Sequence, residues 1–380
     1  MKSSSFVRPR AYASENATAF AIALVIAWGA TVQSVKAAVV FPALERSAVQ
    51  VRTPERSVLQ AATMAGARIV AVGERGIVLL SDDLGAHWRQ AKGVPVSVTL
   101  TAVRFVDANM GWAVGHAGVV LHSVDGGETW VRQTDGLALA KLAVQEAQER
   151  ARLAPNDPKV ARDLKAAQLL VSDGPDKPLL DLHFSDAKHG FVVGAYNLFF
   201  ETSDGGATWT SAMGRLDNPK GLHLYAIRAQ RGAVYIVGEQ GLMLRSEDGG
   251  KRFEPLVSPY VGSWFTLLTM PDGALLAAGL RGNAYYSRDQ GQTWSRIQGA
   301  APVSFICAVA LPDGAALLVN QAGQLLTSRT GEPMVDLGAP SLPPLADVLP
   351  LPGGAGLLAM GMGGVIRLPA PTAVVPGAVR

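Results

Sequence analysis

Apolar and small residues in this chain gather in short runs, and turns of Gly, Asp, Asn and Pro break them at regular intervals. The clearest stretch reads as an apolar run from Leu100 to Val106, a turn at Asp107-Ala108-Asn109, and a second run from Trp112 to Val114. The turn Gly115-His116-Ala117-Gly118 follows, then a run from Val119 to Ser123 and a fourth beginning at Trp130. Runs this short, mixing apolar with small side chains, predict strands packed on both faces. The position held by Gly115 recurs at Gly73, Gly194, Gly238, Gly279, Asn320 and Gly361, at intervals of 42, 79, 44, 41, 41 and 41 residues from Gly73 onward. A period near forty with four strands per unit predicts a β-propeller, because a single blade cannot bury its faces and must stack in a ring. The expectation is therefore an all-β, seven-bladed β-propeller of four-stranded blades, with a helical-hairpin insertion between blades two and three. Phe41 to Val51 lies before blade one and is expected to supply the outer strand that blade seven lacks, since the recognisable repeat ends at Leu368.

The long interval contains one normal repeat plus an insertion over residues 137–172. Leu137 to Leu153 has no Gly or Pro and is rich in Ala, Leu, Glu, Gln and Arg, which predicts a helix. Pro155-Asn156-Asp157-Pro158 breaks it, and Asp157 is placed to cap a second helix running to about Val171.

A second motif sits three strands into each repeat. Ser/Thr-x-Asp-x-Gly-x-x-Trp occurs around Asp83, Asp125, Asp204 and Asp289, and around Asp248 with Phe253 in place of Trp. This is the Asp-box. Its hydroxyl and carboxylate are placed to bond turn amides, its glycine to take an unusual backbone angle, and its aromatic ring to pack between blades. Five near-identical turns spread around a ring cannot converge on one catalytic or metal site, so these aspartates read as structural.

In a four-stranded blade the turn between strands B and C shares a face of the disc with the connection to the next blade, and the Asp-boxes lie opposite. The Gly-x-x-Gly turns hold a constant frame around variable residues, which suits a rigid support presenting a changeable surface. Arg75, His116, Tyr196, Glu239 and Arg281 are the partner-binding candidates on that face, which the insertion shares. Asn197 and Asn320 replace frame glycines, as expected where asparagine tolerates a glycine-like angle.

Charge changes the picture only at the N-terminus. The net charge is +3, and Lys2, Arg8, Arg10 and Lys36 against Glu15 account for all of it, leaving no basic footprint for nucleic acid on the body. That segment, with an apolar run from Ala19 to Ala30 and small residues near Ala37, reads as a signal peptide over residues 1–37, ahead of a propeller over 38–380. It predicts export to a periplasm, or to a thylakoid lumen if the host is photosynthetic. Cys307 is the only cysteine and sits in an apolar run, which predicts a buried thiol. No zinc spacing, phosphate loop or nucleophile elbow is present, so no cofactor, small-molecule substrate or metal is expected.

Asp-boxes, a period near forty-one, Val-Gly-x-x-Gly hairpins and an export signal together make the chain resemble the photosystem II stability/assembly factor family over roughly Leu59 to Leu368. The resemblance implies a non-catalytic chaperone for a membrane-protein client, with an arginine patch to which Arg75, Arg281 and Arg245 would contribute. The missing lipid-attachment cysteine and the insertion depart from the cyanobacterial form, and point to a periplasmic bacterial relative whose client is another membrane complex, such as a transporter. The competing class is an Asp-box glycosidase of sialidase type. For it, Val51-Arg52-Thr53-Pro54 departs from the Phe/Tyr-Arg-Ile-Pro motif at two positions, and Glu74 and Glu239 would be the paired carboxylates.

Overall fold

A computed structural model describes residues 41–338 and 342–370, and the expected signal peptide lies outside them. The described residues form seven antiparallel sheets, six of four strands and one of three, each with its strands in chain order. The innermost strands are Leu59–Ala65, Leu100–Phe105, Leu179–Phe184, Leu224–Gln230, Trp264–Thr269, Phe305–Ala310 and Leu345–Pro350. Each contacts the innermost strand of the next sheet, and Leu345–Pro350 returns to Leu59–Ala65, closing the ring.

The hydrophobic effect holds this ring at its seams. There are seven apolar clusters, one between each pair of neighbouring blades, including a closing cluster in which Leu59, Ile69 and Leu79 of blade one meet Leu351, Leu358 and Met360 of blade seven. Adjacent residues of one strand serve different seams. Val70 and Val72 pack toward blade two, while Ile69 and Ala71 pack toward blade seven, so the strand is apolar throughout instead of alternating.

Blade seven departs from the expected four strands. Its sheet ends with Gly364–Leu368, and the N-terminal segment does not replace the missing strand. Pro42, preset for a first helical turn, opens the short helix Pro42–Glu45, which buries Leu44 in the seam between blades one and two. The segment then runs beside blade one, where the Ala48 amide donates to the Val94 carbonyl at 3.0 Å and the Gln90 side chain bonds Val49 and Val51. The single turn Pro54–Arg56 meets the last strand of blade seven at Gly364, without joining its ladder.

The Asp-boxes hold the opposite ends of the blades. In blade two the Ser123 hydroxyl donates to Asp125 at 2.8 Å and accepts from the Gly127 amide at 2.9 Å, while Asp125 also accepts from the Thr129 amide at 3.0 Å. The Trp130 indole then donates to the Gly127 carbonyl at 2.9 Å. The same bonds to Ser/Thr and to the amide four residues on recur at Asp83, Asp204, Asp248 and Asp289. Blade six lacks the aspartate, and Ser328 instead turns its hydroxyl to the Glu332 carbonyl.

Candidate protein-binding face

The turns between strands B and C share one construction. The amide of the second turn residue donates to the carbonyl just before strand A of the same blade: Glu74 to Val58, His116 to Thr99, Ala195 to Pro178, Glu239 to His223, Leu280 to Ser263, Gln321 to Ser304 and Met362 to Pro344. That bond brings two backbones so close that a Cβ on Gly115 would lie 2.2 Å from the Thr99 oxygen. The first frame glycine is thus required by contact, since its φ of −173° is ordinary extended backbone. Asn320 stands at this first position and has no left-handed backbone. Its carboxamide instead accepts from the Ala322 and Gln324 amides, which corrects the sequence expectation there. At Asn197 the expected left-handed angle is present, with φ 64°.

The left-handed conformation falls mainly on the third turn residue, where Arg75, Ala117, Tyr196, Gln240 and Arg281 have φ between 51° and 58°. Arg75, Tyr196 and Arg281 therefore sit on pinned, strained turns, which is how a side chain is held out at low entropic cost. All three are exposed, as is His116, whereas Glu239 is half-buried.

Of the five candidates, the structure joins Tyr196 and Glu239 through a residue the sequence analysis passed over. His223, on the connection from blade three to blade four, lies with its ring 4.8 Å from that of Tyr196 and its Nδ1 3.5 Å from Glu239 Oε2. The Tyr196 amide donates to His223 Nδ1 at 3.3 Å, and the Lys177 ammonium stands 5.1 Å over the tyrosine ring. Aromatic contacts continue inward from His223 to Tyr225 and from Tyr225 to Phe265. Burial and the neighbouring Glu239 charge hold the Tyr225 hydroxyl above its ordinary pKa. Arg75, His116 and Arg281 stand on separate blades of the same face. Arg245 does not join them. It pairs with Glu247 and donates to the Gln290 carbonyl in the next Asp-box, on the opposite face.

Four exposed apolar side chains lie on the same face. Val257 and Val261, on the connection from blade four to blade five, keep 83% and 87% of their area accessible, and Met362 and Tyr196 keep 66% and 52%. Apolar residues placed in loops instead of strands were the sequence signal for Val257 and Val261.

Two helices, Gly136–Leu153 and Pro158–Asp173, lie between blades two and three. Asp135 caps the first through the Leu137 and Ala138 amides, and Asp157 caps the second through Lys159. Small residues Ala140, Ala143, Ala147 and Ala167 let the pair pack closely with Trp209 and Met213 of blade three. Arg150 bridges the helices through Glu146 and Asp163, and Lys159 reaches the Gly214 carbonyl at 3.2 Å. The first helix runs against the outer strand Thr210–Ser211 of blade three and against the B–C turn His116–Gly118 of blade two. A cavity of about 220 Å³ remains between the hairpin and the face, lined by Ala143, Arg150, Ala166, Tyr196, Asn218 and Lys220.

Comparison with known proteins places this region. Residues 168–259 match the family model described as photosynthesis system II assembly factor YCF48, and residues 285–296 match the BNR/Asp-box repeat. Over residues 168–259 the chain is similar to Ycf48. The Photosystem II assembly lipoprotein Ycf48 of Synechococcus sp. (strain CC9902) is 36% identical over 77 residues, 20% of this chain and 23% of the relative, so the match spans about a quarter of that protein's length. Among solved structures, YCF48 bound to D1 peptide superposes with a TM-score of 0.60 at 17% identity, covering 85% of this chain and 99% of the other. YCF48 from Cyanidioschyzon merolae gives 0.59 at 14% identity, with coverages of 84% and 97%. At these identities the structures speak for the fold. The Ycf48-like segment 168–259 contains Lys177, Tyr196, His223, Tyr225 and Glu239.

Proposed function

We propose that this chain is an exported, non-catalytic assembly or accessory factor whose B–C face holds a segment of a membrane-protein client. One observation carries the reading. The stretch that matches the Ycf48 family model contains the cluster of Lys177, Tyr196, His223 and Glu239, on the face where Val257, Val261 and Met362 are exposed. Tyrosine and arginine on rigid turns have the character of interface anchors, and apolar residues around them can exclude water. YCF48, which shares this fold, has been solved with a D1 peptide bound, and this supports a peptide segment as the bound form. Where the host is photosynthetic the client is a photosystem II subunit; elsewhere it is another membrane complex, such as a transporter. The N-terminal pattern of Lys2, Arg8, Arg10 and the apolar run to Ala30 supports export.

The test is capture of membrane proteins from the native host by the tagged wild type and by Tyr196→Ala with Arg281→Ala. The double variant should be exported and folded yet lose the client. Equal capture by both would reject this face. Gln292→Ala, exposed on the Asp-box face, is the matched control. Glu128 is unsuitable for that purpose, because it is half-buried in ion pairs with Arg68 and Arg89 at the seam of blades one and two.

A further inference from the structure

The innermost strands carry charges that the binding face does not use. Arg104 of blade two stands 3.8 Å from Asp181 of blade three, Asp181 pairs with Arg228 of blade four, and Asp347 lies on the innermost strand of blade seven. Side chains so placed can meet only in the central channel. Two of them also act as hooks between blades. Asp181 accepts from the Ile227 amide of blade four at 3.0 Å, and Asp347 accepts from the Ala62 amide of blade one at 3.0 Å, across the closing seam.

The hydrogen bonds in this group are unevenly shared. Arg228 is bonded through Nη1, to Asp181 and to the Ile227 carbonyl. Among the described residues Arg104 donates only to its own Val103 carbonyl at 2.9 Å, and its Nη2 stands 3.8 Å from Asp181, beyond hydrogen-bond distance. Its side chain nevertheless keeps 36% of its area accessible inside the ring, against 7% for Asp181. The Asp347 carboxylate accepts from the Ala62 and Val348 amides, and burial pushes its pKa upward. A guanidinium with free donors and access from the channel, beside a second guanidinium, supplies the elements of an oxyanion site.

The surrounding wall narrows the chemistry. In register with Arg104 and Arg228 lie Thr63 and His183 in blades one and three, and Leu268, Val309 and Leu349 in blades five to seven. At this level one side of the channel is polar and cationic and the other aliphatic, with the Asp347 carboxylate of blade seven two residues before Leu349.

We infer that the channel binds a carboxylate with a short aliphatic body, its oxygens on the free Arg104 donors and its body toward Leu268, Val309 and Leu349. A free short-chain acid and the C-terminus of a peptide ending in an aliphatic residue share this chemistry. The inference is independent of the outer-face reading. It is tested by ligand-observed NMR and calorimetry on the folded chain with butyrate, with its neutral isostere butyramide, and with the peptide Ala-Ala-Val as free acid and as C-terminal amide. Butyrate or the free-acid peptide should bind, the neutral forms should not, and whichever acid binds more tightly identifies the source. Arg104→Met should weaken that binding at least tenfold, the loss expected for a charge-assisted bond to a carboxylate. Should that variant fail to fold, Arg104→Lys, which keeps the charge but loses the forked donors, serves in its place with a smaller loss expected. Butyramide binding as well as butyrate, neither acid binding, or binding unchanged in both variants would each overturn the inference.

Discussion

Asp125→Ala tests whether the Asp-box carboxylates are structural. Asp125 accepts three bonds in its turn: from the Ser123 hydroxyl at 2.8 Å, the Thr129 amide at 3.0 Å and the Thr129 hydroxyl at 2.5 Å. Removing it does not orphan everything, because Ser123 still accepts from the Gly127 amide and Thr129 is exposed to water. The loss is therefore the net worth of bonds to a half-buried charge, about 1–3 kcal/mol. At about 2 °C per kcal/mol for a chain of this size, the melting temperature should fall by about 2–6 °C. The sign of the pH dependence follows from the same contacts. Burial works against ionisation of Asp125, but its bonds to Thr129 and Ser123 outweigh it and hold the pKa below the ordinary value. A carboxylate depressed in the folded state stabilises above its unfolded pKa and loses that contribution as pH falls through the folded one. The gap between wild type and variant, measured by thermal melts from pH 7 down to 2.5, should therefore narrow below about pH 4. An unchanged melting temperature at pH 7, or a gap that persists undiminished at pH 2.5, would refute the reasoning.

Two further substitutions probe the ring. Gly115→Ala places a Cβ 2.2 Å from the Thr99 oxygen and 2.9 Å from Leu100 Cα, both backbone atoms, and should cost about 2–3 kcal/mol or more in chemical denaturation; a neutral result would show that the turn is free to shift. Asp347→Ala leaves the Ala62 and Val348 amides without their acceptor and should cost about 1–3 kcal/mol at low pH, where the carboxyl is neutral. Asp347→Asn should behave differently. Burial raises the Asp347 pKa, so wild type loses stability as pH rises from the unfolded value through the folded one, and the asparagine variant should lack that slope. Parallel pH profiles for wild type and Asp347→Asn would count against a raised carboxyl there.

What the sequence disclosed follows from which interactions are local. The Asp-boxes are built within eight residues and each Gly-x-x-Gly turn within one blade, so spacing and residue type were enough to place Asp83, Asp125, Asp204, Asp248 and Asp289 and the turns bearing Arg75, His116, Tyr196, Glu239 and Arg281. The expected outer strand from Phe41 to Val51 failed for a reason outside any repeat: Pro42 starts a helical turn, and Leu44 finds an apolar seat between blades one and two. Lys177 and His223 escaped notice because the connections between blades do not repeat, and only the ring brings them beside Tyr196. The channel group shows the same limit more sharply. Asp181 and Arg228 are visible as charges in apolar strands, but the hook from Asp347 to Ala62 spans 285 positions and exists only once the last blade meets the first.

The central claim is that the face bearing the B–C turns, and not the Asp-box face, holds a membrane-protein client. The most direct measurement places a photo-crosslinking amino acid at Tyr196 in one variant and at Gln292 in another, irradiates living cells of the native host, and identifies what is joined to each. The account predicts that position 196 captures a segment of a membrane protein and that position 292 does not. Crosslinking to the same membrane protein from position 292 alone, or equally from both positions, would contradict it.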